Sequence, residues 1–239
     1  LGAGAEMGPL ISLLRWGADV IAVDLPRPAI WERVLGVAAR YGGRLHVPVG
    51  EGDTDDLARR AGADIVHDLP RVAGWLRRMD GPLVLGNYVY ADGATNLRVS
   101  MAVDALTTSL LAERDDLALA FLATPTDVFA VPADAVAEAD RRYADRSGLG
   151  RLRRPVRFVS AGRLLSRNYP PGADPGINDS LVPQQGPNYA LAKRLQRWRA
   201  AVARASGTTV SMNVAPATRT RSVLRNRLLA AAYAGAHRF

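Results

Sequence analysis

Leu1-Gly-Ala-Gly-Ala-Glu-Met-Gly8, the apolar run Pro9-Leu-Ile-Ser-Leu-Leu-Arg-Trp16 and then Gly17-Ala-Asp-Val-Ile-Ala-Val-Asp24 open the chain. In this order they spell a glycine turn, a helix and a strand ending in an acid. Glycines let a backbone turn tightly beside a pyrophosphate, and the N-terminus of the next helix supplies N–H groups. An acid about 20 residues on accepts bonds from the adenosine ribose hydroxyls. Gly2, Gly4, Gly8 and Asp24 are therefore the candidate cofactor-binding residues. Glu6 fits this use badly, because a carboxylate near the phosphates repels them unless it points away. The glycine motif begins at Leu1, so the chain is expected to be a fragment whose first strand is wholly or largely cut away.

Beyond Asp24 the pattern alternates. Ala29–Arg40 reads as a helix, Arg44–Val49 as a strand, Asp53–Arg60 as a short capped helix and Ala63–Asp68 as a further strand. Val72–Met79 reads as a helix, Pro82–Tyr90 as a strand, Asn96–Arg114 as a helix and Leu117–Leu122 as a buried strand. Pro132–Arg146 follows as a helix with a proline in its first turn, then Arg157–Ser160 as a short strand. Ser166–Pro187, rich in Pro, Gly and Asn, reads as a long loop of the kind that is often functional. A helix after Gly186, a strand over Thr208–Pro216 and a helix over Ser222–Ala234 complete the chain. Strands alternating with helices predict one α/β domain over residues 1–239, a doubly wound parallel sheet with helices on both faces.

Composition narrows the classes. The 239 residues are 48% hydrophobic, enough for one large core. Without cysteine there is no disulfide, thiolate metal site or cysteine nucleophile, which suits a reducing, cytoplasmic setting. No apolar run reaches the roughly 18 residues that span a bilayer, so no membrane role is expected. The net charge of +8 and pI near 10.5 permit nucleic-acid binding. The arginines are spread over the helices, however, and the one dense cluster (Arg151, Arg153, Arg154 and Arg157) lies in a Gly-containing connection. A positive field for phosphate-bearing ligands is the milder reading, and no nucleic-acid partner is expected. His46, His67 and His237 stand apart from other metal-type ligands, so no metal site is expected.

Of the 31 basic residues only one is lysine, Lys193, and it follows Tyr189 by four positions. On a helix, residues i and i+4 share a face, so phenol and ammonium stand side by side. The positive charge favours the phenolate and brings the tyrosine closer to the working pH, as an acid/base catalyst requires. A guanidinium, planar and forked, is a poorer substitute for a compact ammonium. Leu191, Leu195, Trp198 and Val202 follow the spacing of a buried stripe and predict which face of this helix packs inward.

With these pieces in order, the chain resembles the short-chain dehydrogenase/reductase family over nearly its whole length. The opening turn is similar to the family's Thr-Gly-x-x-x-Gly-x-Gly motif, with Gly2 and Gly8 matched and Glu6 in place of the middle glycine. Asp24 matches the acid that favours NAD over NADP, and Tyr189 with Lys193 matches the Tyr-x-x-x-Lys pair. Ser160 is placed like the catalytic serine, Asn87 lies where the family has its Asn-Asn-Ala-Gly turn, and Val214-Ala-Pro216 is similar to the segment that passes the nicotinamide. The Pro- and Gly-rich interval before Tyr189 is closer to the extended, epimerase-like members. Two departures stand out: Thr107, Thr108 and Ser109 occupy the neighbourhood of the family's fourth-helix asparagine, and Leu117–Arg154 looks like an added strand and helix.

The resemblance implies an NAD(P)-dependent oxidoreductase acting on a small carbonyl or alcohol substrate, with NAD as cofactor and NADP as the alternative. In it Tyr189 passes the proton, Lys193 tunes Tyr189 and holds the nicotinamide ribose, and Ser160 orients the substrate oxygen. Gly2, Gly4, Gly8, Asp24, Asn87, Lys193 and Pro216 hold the cofactor. A homo-oligomer is compatible with this. A non-catalytic dinucleotide sensor or scaffold on the same fold stays open beside it, as does an epimerase- or dehydratase-like member.

Overall fold

The computed structural model describes residues 1–52, 54–145, 153–162, 166–214, 220–225 and 227–236. Where the sequence suggests one domain, the chain packs as two compact units, Leu1–Thr124 with Pro183–Phe239, and Pro125–Val182. The first unit begins with α1 (Leu10–Arg15), β1 (Asp19–Ile21), α2 (Pro28–Ala38), β2 (Arg44–His46), α3 (Leu57–Arg60) and α4 (Leu69–Arg77). It continues with β3 (Leu83–Asn87), α5 (Gly93–Leu111) and β4 (Leu117–Ala123). The second unit holds β5 (Val128–Val131), α6 (Ala133–Ala144), α7 (Arg153–Val159) and β6 (Gly176–Asp179). The first unit resumes with a 3-10 turn at Pro183–Gln185, then α8 (Gly186–Ala205), β7 (Val210–Val214), α9 (Arg221–Arg225) and α10 (Arg227–Ala236).

The first unit is α/β with parallel strands. β1 pairs with β2, Val20 opposite Leu45. β3, β4 and β7 form a second parallel set in that order, with Leu85 opposite Leu119 and Phe121 opposite Met212. The backbone of Leu1–Ala3 lies between the two sets. The Leu1 amine donates to Gly86 O at 2.8 Å and Leu1 O accepts from Tyr88 N at 3.1 Å, the slanted pattern of a parallel pair. On the other side Gly2 N and Ala3 N both donate to Val23 O, at 2.9 and 3.3 Å. Those bonds continue the hydrogen-bonding from β1 to β3 and satisfy polar groups that would otherwise be stranded.

Because side chains alternate along a strand, neighbouring residues serve different cores. Ala22 joins the cluster of Leu10 and Leu14 from α1, Trp31 and Val34 from α2, and Ala58 from α3. Val23 joins the other cluster, built on Leu85, Leu119 and Phe121 of the strands, Val72 and Leu76 of α4, Val103 and Leu106 of α5, and Ala200 and Ala203 of α8. α8 corrects an expectation here. Its inward face is Ala192, Gln196, Ala200 and Ala203, whereas Leu191, Trp198 and Val202 are 40, 51 and 56% exposed. Small side chains win that face because α8 lies closely along α5, and a bidentate Arg199–Asp104 pair with N···O distances of 2.6 and 3.0 Å ties the two helices.

Other elements differ from the sequence reading. Ala63–Asp68 forms no strand; Asp64 caps a turn by accepting from Val66 N, and Asp68 accepts from Asp64 N. Asp53 lies outside the described residues, and the cap of α3 is Asp56, which accepts from Ala58 N at 3.0 Å. The expected loop over Ser166–Pro187 contains β6, which pairs antiparallel with β5. The expected last helix is helical over Arg221–Arg225 and Arg227–Ala236, with Asn226 outside the described residues.

Trp31 is fully buried, and its indole N–H donates to Leu25 O at 3.0 Å. Gly62, at φ +119°, lies against it so closely that a Cβ there would stand 2.6 Å from Trp31 Nε1. Trp31→Ala removes both the packing and the bond and is expected to lower unfolding free energy by about 3–5 kcal/mol in urea titrations followed by circular dichroism.

Candidate active site

The glycine turn closes on the acid at the end of its strand. Gly4 N donates to Asp24 Oδ2 at 2.7 Å and Leu25 N to Asp24 Oδ1 at 2.8 Å. Each carboxylate oxygen keeps a lone pair for a further donor, so Asp24 can still accept a ligand hydroxyl. Arg33 of α2 donates to Gly4 O. This guanidinium touches the turn, and a Cβ on Gly4 would be 2.9 Å from Arg33 Nη2. Gly2 sits at φ +75°, and a Cβ there would come within 2.8 Å of the Tyr88 carbonyl. A left-handed backbone pressed against another strand admits only glycine. Gly8 N closes the next turn on Ala5 O at 3.1 Å, and Glu6 is exposed on it.

Asn87 ends β3, next to Leu1 in the strand order. It is 4% exposed, and its Oδ1 is buried with no hydrogen-bond partner among the described residues. A buried acceptor without a donor costs about 1–3 kcal/mol, so this oxygen suits a donor brought by a ligand or water. The glycine turn, Asp24 and Asn87 thus lie together at the carboxyl ends of adjacent parallel strands.

Tyr189 and Lys193 both lie on α8, as the spacing predicts. The Tyr189 ring meets Tyr90 edge-on, with centroids 6.3 Å apart and planes at 63°. Lys193 Nζ donates to Leu122 O of β4 at 3.0 Å and to Gln196 Oε1 at 3.2 Å. Burial lowers the lysine from 10.5 to about 8, and desolvation is the whole of the cause. At neutral pH the amine is therefore still mostly charged and stands in a poorly hydrated place, where its field reaches further than it would in water.

Ser160 is placed differently from the expectation. Arg153–Val159 is a helix, not a strand, and Ser160 follows its last turn, donating from Oγ to Arg157 O at 3.2 Å. It belongs to the second unit, whereas Tyr189 and Lys193 belong to the first. The strand-end hydroxyl in the first unit is Thr124, buried directly after β4 and two residues beyond the carbonyl that holds Lys193. Its signal in the sequence was the apolar run Leu117–Leu122, the strand just ahead of the inserted unit. The expected strand over Arg157–Ser160, ahead of a long loop, points to Ser160 instead. Pro216 lies outside the described residues. Among the described residues no group of three or more His, Asp or Glu could hold a metal, and no helix is long and apolar enough to cross a membrane.

Comparisons with protein-family models, with curated proteins and with solved structures gave no match.

A base whose folded pKa is depressed binds fewer protons folded than unfolded. Stability therefore rises with pH between about 8 and 10.5, by up to about 1.4 kcal/mol per pH unit. The stability of the wild type relative to Lys193→Met is expected to climb across that window and to be flat below pH 7. Urea unfolding of both proteins at a series of pH values checks it, and a difference independent of pH would contradict the burial of this amine.

Proposed function

We propose that this chain is a dinucleotide-dependent oxidoreductase of the short-chain dehydrogenase/reductase kind, built on a doubly wound, Rossmann-like sheet, with a small carbonyl or alcohol as substrate. One observation carries the reading. The glycine turn closed on Asp24 and the desolvated Lys193 of α8 stand at the carboxyl ends of strands in one parallel arrangement. The chain runs outward from Leu1 through β1 to β2 and returns to β3 on the other side of Leu1. Ligands of open α/β sheets bind where the strand order reverses in this way. A reducing, cytoplasmic setting belongs to the same reading and rests on the cysteine-free composition.

The residues present fit such a cofactor. Gly2 and Gly4 leave backbone where a side chain would intrude, Asp24 keeps acceptor capacity for ribose hydroxyls, and Asn87 offers a buried oxygen that lacks a donor among the described residues. Arg33 beside Asp24 tempers the preference for NAD, since a guanidinium there can meet a 2′-phosphate. A bound nicotinamide supplies hydride exchange with the substrate carbon. Tyr189 gives or takes the proton on the substrate oxygen, Lys193 favours its phenolate form, and Thr124 takes the orienting role expected of Ser160. Tyr189→Phe is expected to lower turnover by about 10²–10⁴-fold with the fold intact, and Lys193→Arg is expected not to restore the rate despite conserving charge. Near-wild-type rates from both variants would overturn the enzyme reading.

A second reading, a non-catalytic dinucleotide sensor or scaffold, is favoured by the turn itself. The N–H groups of Gly2, Ala3, Gly4, Ala5 and Gly8 all donate within the protein, which leaves few for a pyrophosphate, and Glu6 adds negative charge. Calorimetry separates the effects. Glu6→Gly is expected to tighten dinucleotide binding, and Asp24→Ala to narrow the gap between NAD and NADP. If NADP binds as tightly as NAD to the wild type, the role given to Asp24 is wrong.

A further inference from the structure

Lys193 has two partners among the described residues, and they differ in kind. One is the Leu122 carbonyl, fixed by the β4 ladder. The other is the side-chain carbonyl of Gln196, one turn further along α8 and 6% exposed. Long polar side chains are rarely this buried without a partner that explains it. We propose that Gln196 is a positioning residue for Lys193: with Leu122 O it holds two of the ammonium's three donors and leaves the third for a ligand. This rests on the reading of α8 as the helix that carries Tyr189 and Lys193 as a pair.

The chemistry of the side chain decides its role. A neutral carbonyl solvates an ammonium without cancelling its charge, so the field at Tyr189 survives. A carboxylate at the same 3.2 Å would make an ion pair, hold the proton more firmly and offset that field. An aliphatic residue would leave the amine with one protein acceptor in a dry site and drive it towards neutrality. Among the described residues no charged side chain bonds Lys193. β4, β7 and Pro183–Gln185, which pack on α8, carry no titratable group. On α5 the titratable groups are Arg98 and Asp104, the latter held by Arg199. On α8 itself they are Tyr189, Arg194, Arg197, Arg199 and Arg204, with Tyr90 edge-on to Tyr189, and burial is what lowers Lys193.

The sole lysine makes the test direct, because lysine labelled with 13C and 15N gives one side-chain resonance, and its titration needs no substrate. In Gln196→Leu the midpoint is expected to fall by about half to one pH unit, and in Gln196→Glu to rise by a similar amount. Gln196→Met, close in volume, serves if the Leu variant fails to fold, and thermal melts verify each fold. Midpoints that stay at the wild-type value in the folded variants overturn the proposal whether or not the protein is an enzyme. Midpoints that move in opposite senses support it, and they do so even if no nucleotide-dependent turnover is found, a result that would count against the enzyme reading alone.

Discussion

Backbone pairing on both sides of Leu1–Ala3 is the constraint on which the first unit depends. Without the bonds to Gly86 and Tyr88 on one side and to Val23 on the other, β1–β2 and β3–β4–β7 would be two small sheets with buried edges. Unpaired backbone groups at such edges cost as much as lost hydrogen bonds, so pairing and position are determined together. The same segment then turns at Gly2, where the Tyr88 carbonyl leaves no room for a Cβ. The glycine turn therefore lies against Asp24 and beside Asn87 because the sheet is closed through it.

Lys193 works against stability. A charge taken out of water and offered only neutral partners costs the fold free energy at neutral pH, and desolvation alone lowers this amine. Buried charges that burden the fold are candidates for function, because packing gives no reason to keep them. The pair that Arg199 of the same helix makes with Asp104 of α5 contrasts with it. There both charges are satisfied by two bonds, and the pair holds α5 to α8. One helix thus carries a structural arginine and a lysine with a different task.

The apolar residues of α8 show where periodicity misleads. Leu191, Leu195, Trp198 and Val202 form a regular stripe, yet the helix turns Ala192, Gln196, Ala200 and Ala203 inward. Two long helices that pack closely need small side chains at the contact, and that requirement outranks the burial of a larger stripe. The second unit is a comparable case. The sequence suggests an added strand and helix over Leu117–Arg154, whereas Leu117–Ala123 is the middle strand of β3–β4–β7 and the separate unit is Pro125–Val182, with β5 and β6 paired antiparallel.

By itself the sequence determined the alternation of strands and helices, the turn-to-acid spacing from Gly2 to Asp24 and the placing of Tyr189 and Lys193 on one helix. Each is a local property, set by residue type and by the repeat of a single element. Tertiary structure alone decided that Ser160 follows a helix in a separate unit, that Thr124 directly follows the strand whose carbonyl holds Lys193, that Arg33 reaches the glycine turn, and that Gln196 faces the lysine. The physical reason is common to all four. Burial, desolvation and hydrogen-bond partners depend on which distant segments come to lie against a residue, and no spacing within one element encodes that.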